Sequence, residues 1–198
     1  MTRRALTFLL FLAGVLFFLP SCQKYDELVE KDQTAQMKWA DYEATLQRRA
    51  DLIPNLVAVV KGAADYEKST LQQVTEARAA ATQVKLSADD LTDPAKVKAF
   101  QDAQNTLGGS LSRLLVANEN YPQLKASDQY RDLAKQIEGS ENRILRAREE
   151  YNAAVKDYNS ELGKIKGSVV NKATGQPFKP RVYFTASADV HVAPKVSF

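Results

Sequence analysis

From Tyr25 onward apolar side chains recur at alternating steps of three and four: Tyr25, Leu28, Ala35, Trp39, Tyr42, Leu46, Ile53, Leu56, Val60 and Ala63. That 3.5-residue period holds one stripe of an α-helix against a partner helix along its whole length. Asp32 and Arg49 are the two positions in this register that are neither apolar nor small. Pro54 lacks a backbone N–H and crowds the carbonyl four residues before it, so the pattern predicts a kink at Pro54 or a break after Ile53. A second helical pattern carries Leu71, Val74 and Ala81 to about Val84, and residues 85–93 read as a loop. Asp93-Pro94 then supplies an N-cap acceptor and an N1 proline. The third seam is Val97, Phe100, Leu107, Leu111, Leu114 and Tyr121, with Gln104 and Asn118 as polar members, and it ends at Tyr121-Pro122. Gly108-Gly109 inside it costs about 2 kcal/mol of helix propensity, which a close helix–helix contact would explain. Ser127-Asp128 caps the last helix, whose seam runs from Tyr130 through Leu133, Ile137, Ser140, Ile144, Ala147, Tyr151, Ala154 and Tyr158 to Ile165.

Helices with matching seams and short connections predict an all-α fold: a long antiparallel up-and-down bundle of three to four helices over residues 25–165. Pro177, Pro180 and Pro194 exclude a helix from residues 166–198. That segment is expected to be an irregular tail, packed on the bundle in part or disordered.

The first 21 residues have a different character. Arg3-Arg4 precedes the apolar run Ala5 to Leu19, followed by Leu19-Pro20-Ser21-Cys22. This is a secretory n-region and h-region ending in a lipobox-like cut site, which makes Cys22 the candidate lipidated residue and residues 22–24 the anchored N-terminus. The alternative is an uncleaved signal anchor, although a helix of about 15 residues spans only ~22 Å against a ~30 Å hydrocarbon core. In both cases the positive-inside rule places residues 23–198 outside the cytoplasmic membrane. Gln23 carries no signal for retention at the inner membrane, so an outer membrane, where one exists, is the expected location.

The motif Arg48-Arg49-Ala50-Asp51-Leu52-Ile53-Pro54-Asn55-Leu56-Val57 sits amid Trp39, Tyr42 and Val60-Lys61-Gly62. Further along come Ala77-Arg78, Arg113-Leu114-Leu115-Val116, Glu119, Tyr121-Pro122, Glu141-Asn142-Arg143-Ile144 and Tyr151-Asn152, then Tyr158-Asn159, Tyr183-Phe184 and Ala193-Pro194-Lys195-Val196. Together these resemble the LemA family of bacterial envelope proteins. The resemblance implies a membrane-tethered antiparallel helical bundle and assigns it no particular biochemical role. Members commonly carry an N-terminal membrane-spanning segment, and the lipobox here departs from that.

Composition excludes several functions. With Arg3 and Arg4 set aside, 25 basic residues face 24 acidic ones, which is no nucleic-acid footprint. The one histidine, His191, lies in the tail, and the one cysteine is committed to the N-terminus. Neither a nucleophilic relay nor a thiolate metal site can be assembled from them, so no enzyme activity, metal or cofactor is expected. What stands out instead is charge near the seams: Arg49, Arg78, Arg113, Glu119, Glu141, Asn142 and Arg143. Buried charge persists only when paired, which predicts an internal network that sets helix register, with a ligand-receiving groove as the alternative. In that network Arg49→Ala would strand a buried carboxylate. Trp39, Tyr42, Tyr151 and Tyr158 read as aromatic core, and Asn55 as a cap after the Pro54 break. The functional expectation is a non-enzymatic adaptor or scaffold tethered to the membrane. Its expected partner is another envelope protein, an envelope protease being one candidate through the family resemblance; self-association through exposed helical faces is the alternative, and an enzyme using the buried Arg/Glu cluster is a distant third.

Overall fold

The computed structural model describes residues 3–62, 68–117, 121–164 and 178–185, with side chains of the first helix from Tyr25 onward. The lipobox, Cys22 and the anchored N-terminus therefore lie outside the residues with described side chains. Glu119, Asn118, His191 and the Ala193–Val196 motif lie outside the described residues altogether. The described chain is all-α, with five helices: α1 (Arg3–Gly62), α2 (Lys68–Gln83), α3 (Pro94–Ala117), the short α4 (Pro122–Ala126) and α5 (Asp128–Gly163). A 3-10 turn, Asp90–Thr92, falls within the expected loop. Helices α1, α2, α3 and α5 run alternately up and down, and α1 against α5 is the most extensive interface.

The sequence period is reproduced in the burial. Leu28, Ala35, Trp39, Tyr42, Leu46, Arg49, Ile53, Leu56 and Val60 are buried along α1, and Tyr130, Leu133, Ile137, Ser140, Ile144, Tyr151, Ala154 and Tyr158 along α5. The expected caps form. Asp93 Oδ1 accepts from the Ala95 N–H at 2.9 Å ahead of Pro94, and Ser127 Oγ accepts from the Tyr130 N–H at 3.3 Å ahead of α5.

Pro54 does not break the first helix. α1 is continuous from Arg3 to Gly62, and Asn55 is an exposed residue within it rather than a cap. The reason lies in α2. Proline leaves the carbonyl of Ala50 without its usual i+4 donor, and the Arg78 Nε–H donates to that oxygen at 2.7 Å. Ala50 is buried, so the orphaned acceptor would otherwise be costly. Pro54 and Arg78 thus form a pair across two helices, and Arg78 has this role rather than membership of a charge cluster. The expected outcome is that Arg78→Ala costs about 1–3 kcal/mol by stranding the carbonyl. In a Pro54→Ala background, where the helix supplies its own donor, the same change costs distinctly less. A double-mutant cycle by urea denaturation measures the coupling, and additive costs would show that the Arg78 bond contributes nothing.

Gly108-Gly109 also has a different explanation from the one expected. A Cβ at Gly109 would meet nothing within 4 Å, and one at Gly108 would meet only Arg49 Nη1, at 3.8 Å. These glycines do not mark a close helix crossing. They line a groove between α3 and α5 that is floored by α1.

Helix α2 spans 16 residues and α5 spans 36. The α1–α5 pair therefore extends well past α2 and would leave an apolar face open between Leu28 and Tyr42. Leu86, Leu91 and the N-terminal turns of α3 cover part of that face. Residues 178–185, part of the expected irregular tail, cover the rest: they form a strap with Phe184 and Arg181 buried.

A buried relay and a clamped strap

Two polar arrangements are built on the places where the seams depart from apolar residues. The first is centred on Arg49, which is 2 % exposed on α1. Its Nη1 donates to Glu141 Oε1 on α5 at 2.9 Å, and its Nη2 donates to Gln104 Oε1 on α3 at 2.6 Å. Gln104 Nε2 in turn donates to the Ala81 carbonyl on α2 at 3.1 Å. One guanidinium and one amide thereby connect all four long helices at a single level. Arg113, Asn142 and Arg143, expected in this network, are exposed instead. They lie beside seam positions Leu114 and Ile144 or one residue further away, and a step of one residue on a helix turns a side chain by about 100° at 3.6 residues per turn. Gln104, a polar seam position in the sequence, takes the place they were expected to hold.

The second arrangement holds the strap. Asn152 and Asn159 on α5 each grip the main chain of one strap residue twice. Asn159 Nδ2 donates to the Arg181 carbonyl at 2.8 Å, and its Oδ1 accepts from the Arg181 N–H at 2.9 Å. Asn152 does the same for Phe184, at 2.7 and 2.9 Å. The two asparagines are seven residues apart, about 10.5 Å along a helix, and the residues they hold are three apart. Three residues cover that distance only when nearly extended, at about 3.3 Å each. On the other edge the Val182 N–H donates to the Leu91 carbonyl at 2.8 Å, while the Tyr158 hydroxyl donates to the Lys179 carbonyl at 3.1 Å. At the end of the strap Gln101 on α3 donates to the Thr185 carbonyl.

Two strap side chains, Arg181 and Phe184, are buried, while Phe178 packs edge-on to the Tyr25 ring and the Thr185 hydroxyl accepts from Gln101 at 3.0 Å. Arg181 donates through Nε and Nη2 to Asp32 Oδ1 at 3.0 and 2.8 Å, and through Nη1 to the Ala88 carbonyl at 3.3 Å. Its guanidinium also lies 5.6 Å from the centre of the Tyr158 ring. This pairing accounts for Asp32, the other polar residue on the α1 seam. Phe184 stacks on Trp39, with ring centres 5.6 Å apart, and meets the edges or faces of Tyr42, Tyr151 and Phe100. The aromatic stripe is therefore core, but core completed by the strap. Past Thr185 lies the groove of about 480 Å³ between α3 and α5, where Gly108, Gly109, Leu145 and Arg148 are among the lining residues.

The remaining motif residues lie away from both arrangements. Arg48 and Pro54 are exposed on α1, Asp51 accepts from Gln47 on its surface, and Tyr121-Pro122 begins α4. Sequence reading missed the gripping role of Asn152 and Asn159. The signal available was two asparagines at a heptad interval, each directly after a seam tyrosine.

A match to the LemA family spans residues 38–198. The chain belongs to the LemA family. Among its relatives is the magnetosome protein MamQ 2 of Paramagnetospirillum magneticum, 28% identical over 189 residues, a stretch covering 87% of this chain and 69% of that protein. MamQ of Magnetospirillum gryphiswaldense is similar to the same degree over the same shares. Protein LemA of Metamycoplasma hominis is 24% identical over 155 residues, 78% of this chain and 66% of the relative. Membership supports a membrane-associated protein of the cell envelope. Among the described residues no helix is long and apolar enough to cross a membrane, and no cluster of acidic, histidine or cysteine side chains is placed to hold a metal ion.

Burial pushes the Tyr158 hydroxyl up to about 12 from its ordinary value near 10, and it moves Tyr42 and Tyr151 in the same direction. The neutral phenol is the form that the folded chain favours. Its contribution is therefore fully present below the unfolded value of about 10 and is lost as pH rises through about 12. Tyrosinate absorbance in an alkaline titration should show a late-ionising group of tyrosines that disappears in denaturant. Ionisation of every tyrosine near 10 would contradict the burial of the strap contacts.

Proposed function

We propose that this LemA family chain is a non-enzymatic scaffold, tethered to the envelope membrane through Cys22, that works by binding another envelope protein. The observation that carries the reading is the clamped strap. The bundle contains a built seat for an extended polypeptide, and its buried polar groups hold helices and main chain in place. An acyl anchor gains ~0.8 kcal/mol per buried CH₂, so several chains on Cys22 would locate the protein, with residues 23–198 outside the cytoplasmic membrane and the outer membrane favoured where one exists. Radiolabelled palmitate incorporation that is absent from Cys22→Ser is the expected result for the anchor; equal labelling of both proteins would sink it.

In-cell cross-linking of the full-length protein, followed by detergent extraction, tests the scaffold role. One stoichiometric envelope protein, a protease among the candidates, is the expected product. Cross-links only between copies of the chain would replace the adaptor with a self-associating assembly.

A further inference from the structure

The manner in which residues 178–185 are held is that of a ligand in a receptor. We propose that the seat of the strap, formed by α1, the 3-10 turn, α3 and α5, is a peptide-binding site for an extended segment of a partner protein carrying arginine followed three residues later by an aromatic side chain, and that the strap is a built-in competitor for it. The inference rests on the binding role proposed above and specifies its ligand.

Four observations support it. First, Asn152 and Asn159 satisfy both the N–H and the C=O of the residue each one holds, and every non-proline residue offers those groups. The grip is thus indifferent to sequence, as in other recognition of extended peptides through their main chain. Second, the buried side-chain contacts fall at two points, with Phe178 and Thr185 adding contacts at the ends of the strap. Asp32 gives a carboxylate to Arg181, and the Trp39, Tyr42, Phe100 and Tyr151 rings enclose Phe184. The side chains between them face outward more: Tyr183 is 43 % exposed and Val182 is half-buried. The site therefore selects chiefly for Arg-x-x-Phe and tolerates variation at the two positions between them.

Third, the two walls that carry the clamps and the Arg181 partner have an interface of their own. Asn152 and Asn159 sit on α5, Asp32 and Trp39 on α1, and Gln101 on α3. α1 and α5 share the most extensive interface of the bundle, while α3 packs on α2 and is tied to α1 through the Gln104–Arg49 bond. Fourth, positions 164–177 separate the end of α5 from the strap. A tethered segment of this kind competes as a ligand at a roughly millimolar effective concentration. A partner confined to the same membrane surface can reach a comparable local concentration, so exchange depends on the relative fit of the two segments.

The probe is a fluorescein-labelled peptide with the sequence of residues 178–185, Phe-Lys-Pro-Arg-Val-Tyr-Phe-Thr. It is titrated by anisotropy into the full-length chain in detergent micelles, both wild type and the double variant Arg181→Glu/Phe184→Ala, whose own strap is disabled. The variant should bind at least tenfold more tightly than wild type. Binding should be lost when Asn152→Ala and Asn159→Ala are added, and when the arginine or second phenylalanine of the peptide is replaced by alanine. A second measurement needs no variant: millimolar unlabelled peptide should accelerate hydrogen exchange at the Val182 and Phe184 amides of wild type by displacing the strap.

A double variant that keeps its helical circular dichroism but takes up no peptide would overturn the proposal, as would exchange rates unaffected by excess peptide. A wild-type dimer that becomes monomeric in the double variant would assign the seat to the strap of a second copy and overturn the partner-peptide assignment. A stoichiometric partner found by cross-linking, together with failed peptide uptake, would leave the scaffold reading standing and this site rejected.

Discussion

Phe184→Ala should detach the strap while leaving the four long helices in place. The ring is 3 % exposed and stacked on Trp39 with an interplanar angle of 6°. Truncating a phenylalanine in an ordinary core costs about 3–5 kcal/mol, partly from the cavity left behind, and aromatic pairs contribute a further ~0.5–1.5 kcal/mol. Here the loss has a ceiling. Once the missing contacts exceed the docking free energy of the strap, residues 178–185 leave together and the bundle incurs no further cost. The midpoint of thermal unfolding should therefore fall by roughly 6–12 °C, given about 2–4 °C per kcal/mol for a chain of this size. Trp39 is the only tryptophan of the chain, so its emission reports directly on the uncovered pocket. A red-shifted emission with unchanged helical circular dichroism is expected, along with lost hydrogen-exchange protection at the Arg181, Val182 and Phe184 amides. An unshifted emission and an unchanged midpoint would show that the aromatic pocket does not need its occupant.

How much of this arrangement could be read in the sequence follows from the range of each interaction. The helical seams were legible because they are local: a 3.5-residue period dictates which side of a helix is buried whatever lies opposite. The continuity of α1 through Pro54 was not, because the donor that rescues the Ala50 carbonyl is Arg78, 28 positions away on another helix. The same holds for Asp32, visible as an oddity on the seam but paired with Arg181 across 149 positions. Register identified Arg49 as inward. It could not separate Glu141, which reaches Arg49 from the groove rim, from Asn142 and Arg143, its immediate neighbours in sequence. The asparagine clamps combine two periods, helix against extended chain, and only pairing Asn152 with Phe184 and Asn159 with Arg181 brings that out.

Those depths reverse the expected order of damage in the Arg49 relay. The guanidinium side chain is 3 % exposed, whereas the Glu141 side chain that pairs with it is 42 % exposed. Removing Arg49 does not strand a buried carboxylate, because Glu141 can turn to water. Removing Glu141 strands a buried cation. Loss of one partner of a buried pair costs about 3–5 kcal/mol, and the solvent access that Glu141 provides puts Glu141→Ala near the lower figure, about 3 kcal/mol. Arg49→Met keeps most of the volume and deletes the charge, so its main penalty is the acceptor of Gln104 left without a donor, about 1 kcal/mol. Arg49→Met should therefore be the milder change. In the combined variant the Glu141→Ala penalty should largely vanish, since no buried charge remains to be neutralised. Urea denaturation of the two single variants and the double variant decides the matter. If Arg49→Met proves the more damaging single change, the cost lies in packing between α1 and α3 and not in the buried charge.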